Sequence, residues 1–405
     1  GHGLKLSTHM DLEVASHSAD GASLTVVGLC VDALHPGRSA MEVVQSMLER
    51  SSSFADVVTS SAPLSGRWVL IYQDSENTCI FTDACGFRQV FYYLNSERPW
   101  CGSQPEIIRA ATHLDWNEDN RLAAFLMTDH FARRESAFVG DRTVYAGCRH
   151  LLPNHYLKVS TCEPVRFFPA VRLEERAESE IVERTLRILQ GSIEGVARRS
   201  GLMQAVTAGW DSRVLLAASR HLSGSIEYYV DRQGCLPESH ADVWVPKSLA
   251  EKAGIDFVVK DSRDDLPGWF VCLLTKNVTG ARVLPKSRMI YSNFFEDETR
   301  VKLNGNASEV CRNFYDKYCQ LEHKELMAAD LARLMGYQGI AFVERELEKW
   351  MADLCRPGHQ GYSLLDMLYW EQRLGNWGAP FPAEQDMAVE EYSQFNCRLL
   401  ITTLL

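Results

Sequence analysis

Between Gln204 and Leu222 the chain changes backbone character twice within a short span. Ala205, Val206 and Thr207 close a short apolar run of strand character. Ala208, Gly209 and Trp210 then break any helical or strand period. Asp211 and Ser212 are helix-opening residues, and behind them Val214, Leu215, Ala218 and Leu222 recur at helical spacing. Strand, small-residue turn and helix start present a row of backbone N–H groups at the positive end of a helix dipole, which suits a phosphate. Asp211 is unusual there. A carboxylate repels phosphate unless a cation lies between them, so the pair implies Mg²⁺. The expected nucleotide-binding residues are therefore Val206, Thr207, Ala208, Gly209, Trp210, Asp211 and Ser212. The competing explanation is an ordinary strand-to-helix turn capped by Asp211.

Downstream, strand candidates at 225–230, 256–260 and 300–304 alternate with a helix candidate at 241–253. Alternation of this kind predicts a parallel sheet with helices on both faces. Ligands of such sheets bind beyond the carboxyl ends of the strands. That adds Tyr229, Val230, Leu303, Asn304 and Gly305 to the expected nucleotide-binding residues. The run from Val301 to Val310 repeats the design of the first loop: strand, small-residue turn, acid. Asp211 and Glu309 are then expected to share one Mg²⁺. Arg312, one turn past Ser308, either touches phosphate or is a solvated helix arginine. Residues 322–405 read as helical. Within them Tyr369, Glu371 and Arg373 either face the cleft or belong to core and surface.

Residues 11–165 have a different grain, with short strands at 24–30, 67–73, 78–82 and 89–94 and one helix at 40–49. Strands at this spacing predict stacked antiparallel sheets. A chain of 405 residues expects two or more domains. The net charge of −11, with no basic block, argues against nucleic acid or an anionic membrane surface as partner. No apolar run is long enough to span a bilayer. The twelve cysteines include no Cys-x-x-Cys pair, which argues against a zinc ribbon and for free thiols in a reducing, cytoplasmic setting. Residues 1–10, with His2 and His9, read as a leftover of expression ahead of Met10.

Several of these stretches resemble the asparagine-synthetase-like ligases. The loop at Thr207 to Ser212 is similar to their pyrophosphate-binding Ser-Gly-Gly-x-Asp-Ser, with Thr207 and Ala208 replacing the first Ser and Gly. Residues 301–310 resemble Leu-Thr-Gly-Glu-Gly-Ala-Asp-Glu; aligned on Gly305, Glu309 takes the place of an Asp that helps hold Mg²⁺. Ser65 to Trp68, Thr82 to Arg88, Phe91 to Tyr93, Ser103 to Glu106 and Arg142 to Pro153 resemble the family's glutaminase-type half and the passage that follows it. Residues 239–243, 364–374 and 394–400 resemble later family segments.

The resemblance implies an α/β protein in two parts. An N-terminal degenerate Ntn-type αββα sandwich occupies 11–170. A doubly wound parallel-sheet ATP-pyrophosphatase domain with a helical C-terminal part occupies 180–405. It implies ATP-dependent, AMP-forming activation of a carboxylate, then amide or lactam formation with an amine, with ATP and Mg²⁺ as cofactors. The implied catalytic residues are Glu309, Arg312, Tyr369 and Glu371, with Lys286 or Lys302 standing in for a lysine that the family carries in a segment beyond these. One departure matters. The family's glutaminases use an N-terminal cysteine, whereas the first cysteine here is Cys30, inside a strand candidate. The amine is then expected from a second substrate or from the same molecule. Small-molecule or peptide substrates in natural-product biosynthesis are the expected class. A glutamine-dependent amidotransferase, a nucleotide-binding pseudoenzyme and a tRNA-modifying enzyme remain alternatives, and the oligomeric state, monomer or homodimer, is open.

Overall fold

The computed structural model describes residues 3–94, 98–232, 234–262, 265–278, 285–295, 299–319, 325–355 and 359–405, with the backbone alone at 285 and 286. The first half begins with β1 (Val14–Ala19), β2 (Ala22–Asp32), β3 (Leu64–Gln73) and β4 (Thr78–Thr82). Next come β5 (Phe91–Leu94), β6 (Pro99–Gly102) and β7 (Arg149–His150), then β8 (His155–Lys158) and β9 (Glu163–Arg166). They form a six-stranded antiparallel sheet ordered β1-β2-β3-β4-β8-β9 and a three-stranded sheet ordered β6-β5-β7.

Period-two alternation sorts the apolar residues of the larger sheet to its two faces. Leu24, Val26, Leu70 and Tyr72 pack with Val43, Val44, Met47 and Leu48 of the helix Ala40–Glu49. That helix presents one apolar stripe and opens with a capping box between Ser39 and Glu42. On the opposite face Val27, Ile71, Ile80 and Leu157 pack with Tyr92 of the smaller sheet and with Val90 and Leu151, which flank its strands. Ile108, from the helix Pro105–Thr112, clusters with Phe91, Tyr93 and Trp100 beyond it. The layers thus run helix, sheet, sheet, helix.

The second half is built on β10 (Gly201–Ala205), β11 (Ile226–Asp231), β12 (Phe257–Lys260), β13 (Arg300–Asn304) and β14 (Glu390–Ser393). All neighbouring pairs are parallel, in the order β12-β11-β10-β13-β14. The chain winds outward from β10 to β12, returns to the other side of β10 at β13, and ends the sheet with β14. This reversal opens a crevice beyond the carboxyl ends of β10 and β13.

Two findings correct the expectation of an all-helical end. β14 is a strand, and residues Leu368–Gly378 form a π-helix rather than an α-helix. The last forty or so residues also pack back onto the first half. Trp370 Nε1 donates to the Ala84 carbonyl at 2.7 Å. The Asn396 side chain donates to the Gly66 carbonyl at 2.6 Å and to Asp83 Oδ1 at 2.8 Å, and it accepts from Cys85 N at 2.8 Å. Asp83, the acid of the Thr82–Arg88 turn, is fully buried and also accepts from the Phe87 and Arg88 amides at 2.8 Å each. It holds the turn's backbone together. Among the described residues no helix is long and apolar enough to cross a membrane.

Candidate functional site

The turn after β10 is tied by its own side chains. Thr207 N donates to Ser212 Oγ at 3.0 Å, Gly209 N to Thr207 Oγ1 at 3.2 Å, and Ala208 N to Asp242 Oδ1 at 2.9 Å. Ala208 is not among the residues with positive φ, so its methyl is accommodated without strain. Gly209 is the N-cap of the helix Trp210–Ser219 and brings no side chain to it. The amides of Trp210, Asp211 and Ser212 open that helix, where no preceding turn can accept them. Trp210 stands 70% exposed, with the Arg213 guanidinium 4.4 Å from its ring centroid.

The loop after β13 lies directly against this turn. A Cβ added at Gly305 would sit 2.6 Å from Asp211 Cβ, so the close approach itself requires glycine. Asn304 Oδ1 accepts from Asn306 N at 3.0 Å and shapes the bend. The acids of the two loops then meet at one cation. Arg312 Nη2 lies 3.2 Å from Asp211 Oδ2 and 3.6 Å from Glu309 Oε1. Burial raises the Glu309 pKa, and the charge of Asp211 adds to this; Arg312 and the neighbouring Tyr369 hydroxyl oppose the shift. Burial, then the charge of Glu309, push the Tyr369 hydroxyl well up, so it stays protonated and able to donate a hydrogen bond.

Among the described residues no group of three or more His, Cys, Asp or Glu side chains gathers to hold a metal. Mg²⁺ carrying waters and phosphate oxygens needs only one or two carboxylates. Asp211 and Glu309 fit that requirement.

The structure therefore brings together Thr207, Ala208, Gly209, Trp210, Asp211, Ser212, Asn304, Gly305, Glu309, Arg312 and Tyr369. Other expected residues fall elsewhere. Val206, Tyr229, Val230 and Leu303 are buried in the sheet and offer the crevice only backbone. Lys302, 3% exposed, pairs with Glu391 at 3.3 Å across the middle of β13 and β14. The Lys286 side chain lies outside the described residues.

Glu371 is the clear correction. Its carboxylate is 0% exposed and accepts from Arg166 at 2.6 and 2.8 Å, Asn154 at 2.9 Å and Trp350 at 2.7 Å. An acid enclosed by four donors has neither access nor lone pairs left for a substrate. Asp242 was missed as a loop contact. The segment Ser239 to Val243 shows an acid in a first helical turn, which by itself signals only capping. Cys30 is buried inside β2, and burial drives its thiol pKa far up, so it is no nucleophile.

No family model matches the chain, and no curated protein matches it. Among solved structures it is similar to a glutamine-dependent NAD⁺ synthetase from Acinetobacter baumannii in complex with ADP. That likeness has 10% identity, covers 62% of this chain and 59% of the other, and has a TM-score of 0.22. It is also similar to the glutamine phosphoribosylpyrophosphate amidotransferase from B. subtilis complexed with ADP and GMP. There the identity is 12%, the coverage 73% and 58%, and the TM-score 0.23. Both alignments span less than two thirds of the other chain.

Proposed function

We propose that the chain is an ATP-dependent, AMP-forming ligase that activates a carboxylate as an acyl-adenylate and joins it to an amine as an amide or lactam. One observation carries this reading. Asp211 and Glu309, from the loops after β10 and β13, converge on a single guanidinium beside a helix start that lacks a side-chain cap. The helix-opening amides of Trp210, Asp211 and Ser212 would receive phosphate oxygens. Asp211 and Glu309 would hold Mg²⁺, which supplies charge neutralisation when bound.

In the first step a substrate carboxylate oxygen attacks the α-phosphorus, the α–β phosphoanhydride bond breaks, and pyrophosphate leaves. In the second the amine nitrogen attacks the acyl carbon, AMP departs, and the nitrogen gives up a proton. The protein's part is positioning and preorganised charge. Positioning alone is worth on the order of 7–11 kcal/mol. Arg312, 43% exposed at the rim, would turn from the two acids to pair with the departing pyrophosphate.

The helix–sheet–sheet–helix order of the first half accords with a glutaminase-like sandwich of Ntn type. We favour an amine from a second substrate or from the same molecule, with tailoring of natural products in the cytoplasm as the setting.

A nucleotide-binding protein without turnover is the second reading. It is favoured by Arg312 pairing with both acids and by Lys302 being engaged with Glu391. Exchange of labelled pyrophosphate into ATP, assayed with a panel of carboxylates, separates the two. Exchange that disappears in Asp211→Asn supports the ligase. Calorimetric binding of Mg-ATP with no exchange supports the binder. No heat with Mg-ATP overturns both.

A further inference from the structure

Behind Tyr369 the same π-helix lines a second feature that the nucleotide reading does not use. A cavity of about 100 Å³ lies between Gln372, Arg373 and Trp377 of that helix and Arg133, Arg134 and Glu135 of the first half. Three of these six are arginines, in a chain whose net charge is −11. The one acid is committed, since Glu135 Oε2 accepts from Trp377 Nε1 at 3.1 Å. Gln372 is 0% exposed. Its Oε1 accepts from Gly140 N at 2.8 Å, which leaves Nε2 buried without an acceptor among the described residues. Arg373 Nε is likewise buried without one, while its guanidinium carbon lies 4.1 Å from the Trp377 ring centroid.

The walls are fixed by tight backbone turns. Glu135 and Ser136, with φ of 56° and 58°, close the helix Asp129–Arg133: their amides donate to the Ala132 carbonyl at 3.1 Å and the Phe131 carbonyl at 3.0 Å. On the other side Gly336, with φ of +83°, lies so close to Arg134 that a Cβ there would meet the guanidinium. π-Helices concentrate at functional sites. Arg133 pairs with Asp129 at 3.8 Å, but the buried Gln372 and Arg373 donors without acceptors, at a cavity that Arg134 also lines, call for an acceptor supplied from outside the chain.

We propose that this cavity binds a small oxyanion, a carboxylate or phosphate group, through Arg373, Arg134 and the Gln372 amide. The inference stands apart from the ligase reading. If that reading also holds, the π-helix would link this site to the nucleotide loops, because Tyr369 stands beside Glu309 one turn from Arg373.

The test is calorimetric titration of the full chain with succinate and, separately, with inorganic phosphate. At least one is expected to bind, and binding should weaken tenfold or more in Arg373→Met and measurably in Arg134→Gln. Arg134 is exposed, so the second variant keeps the test intact if the first fails to fold. Preference for succinate assigns the site to a substrate carboxylate; preference for phosphate assigns it to a phosphoryl group. Binding that persists in Asp211→Asn separates this cavity from the nucleotide loops. Absence of heat with both probes, binding lost in Asp211→Asn, or affinity unchanged in both arginine variants, overturns the proposal.

Discussion

Arg312 Nη2 lies 3.2 Å from Asp211 Oδ2, across a separation of 101 residues. The contact exists because β10 and β13 are neighbours and the loops beyond them touch at Gly305. It sits on the rim, where the arginine side chain is 43% exposed. A pair so placed contributes roughly 0–1 kcal/mol to stability. Arg312→Met is therefore expected to shift denaturant unfolding by less than about 1 kcal/mol, while Mg-ATP affinity by calorimetry falls at least tenfold. A large loss of stability with affinity untouched would make Arg312 a structural strut.

Two glycines in the paired loops should behave differently. Gly305→Ala forces a Cβ to 2.6 Å from Asp211 Cβ, whereas a Cβ at Gly209 would meet only the Thr207 hydroxyl at 3.2 Å. We expect Gly305→Ala to cost about 1–3 kcal/mol through overpacking and to abolish nucleotide binding. Gly209→Ala should retain binding within a few fold. Equal behaviour of the two variants would remove the argument from loop contact.

Glu371→Ala should act on folding and not selectively on turnover. It leaves Arg166, whose side chain is 5% exposed, with half its partners gone and the Trp350 N–H unsatisfied. Breaking a buried pair from one side costs about 3–5 kcal/mol. Thermal melting is expected to drop accordingly. A variant that melts normally yet loses catalysis would restore Glu371 to the reaction.

His150 gives the molecule a defined acid response. It is stacked on Phe91 at 4.7 Å, its Nδ1 is 3.3 Å from Asn376 Oδ1, and burial lowers its pKa from 6.5 to about 4. The unfolded chain therefore takes up a proton at a pH where the folded chain does not. Stability from this residue is complete above pH about 6.5, declines as pH falls toward about 4, and is flat below. The full swing is about 3 kcal/mol. Unfolding free energy measured against pH should lose that slope in His150→Gln. An unchanged slope would mean that other groups carry the response.

Local signals in the sequence were enough for elements that pack by a regular stripe. The helices Ala40–Glu49 and Ala241–Ala253 have the bounds that apolar spacing and capping residues imply. The strand ends around Thr207 and Asn304 were legible because small-residue turns follow them. β14 was not, for a physical reason. Its residues Glu390 and Glu391 are acids, and their partners Arg67, Arg88 and Lys302 are remote in sequence. Nothing in a four-residue polar run announces a buried strand. Glu371 was misjudged on the same ground: an isolated acid in a helix shows its chemistry but not the Arg166, Asn154 and Trp350 groups that consume it. The sequence places Asp211 and Glu309 at neighbouring strand ends, and in the structure both approach Arg312. That the Arg312 guanidinium stands between them is not legible in the sequence, where Arg312 reads alike as a phosphate contact or a solvated side chain.

The Asn396 amide that closes on Gly66 and Asp83 also sets an order of events during synthesis. Asp83 emerges from the ribosome 313 residues before the side chain that completes its shell. Until then its turn stays short of a donor and lacks the Trp370 and Asn396 side chains that close on it. The amino-terminal sheets are thus made first and finished last, which gives chaperones a long interval in which to act on a nascent chain of this topology.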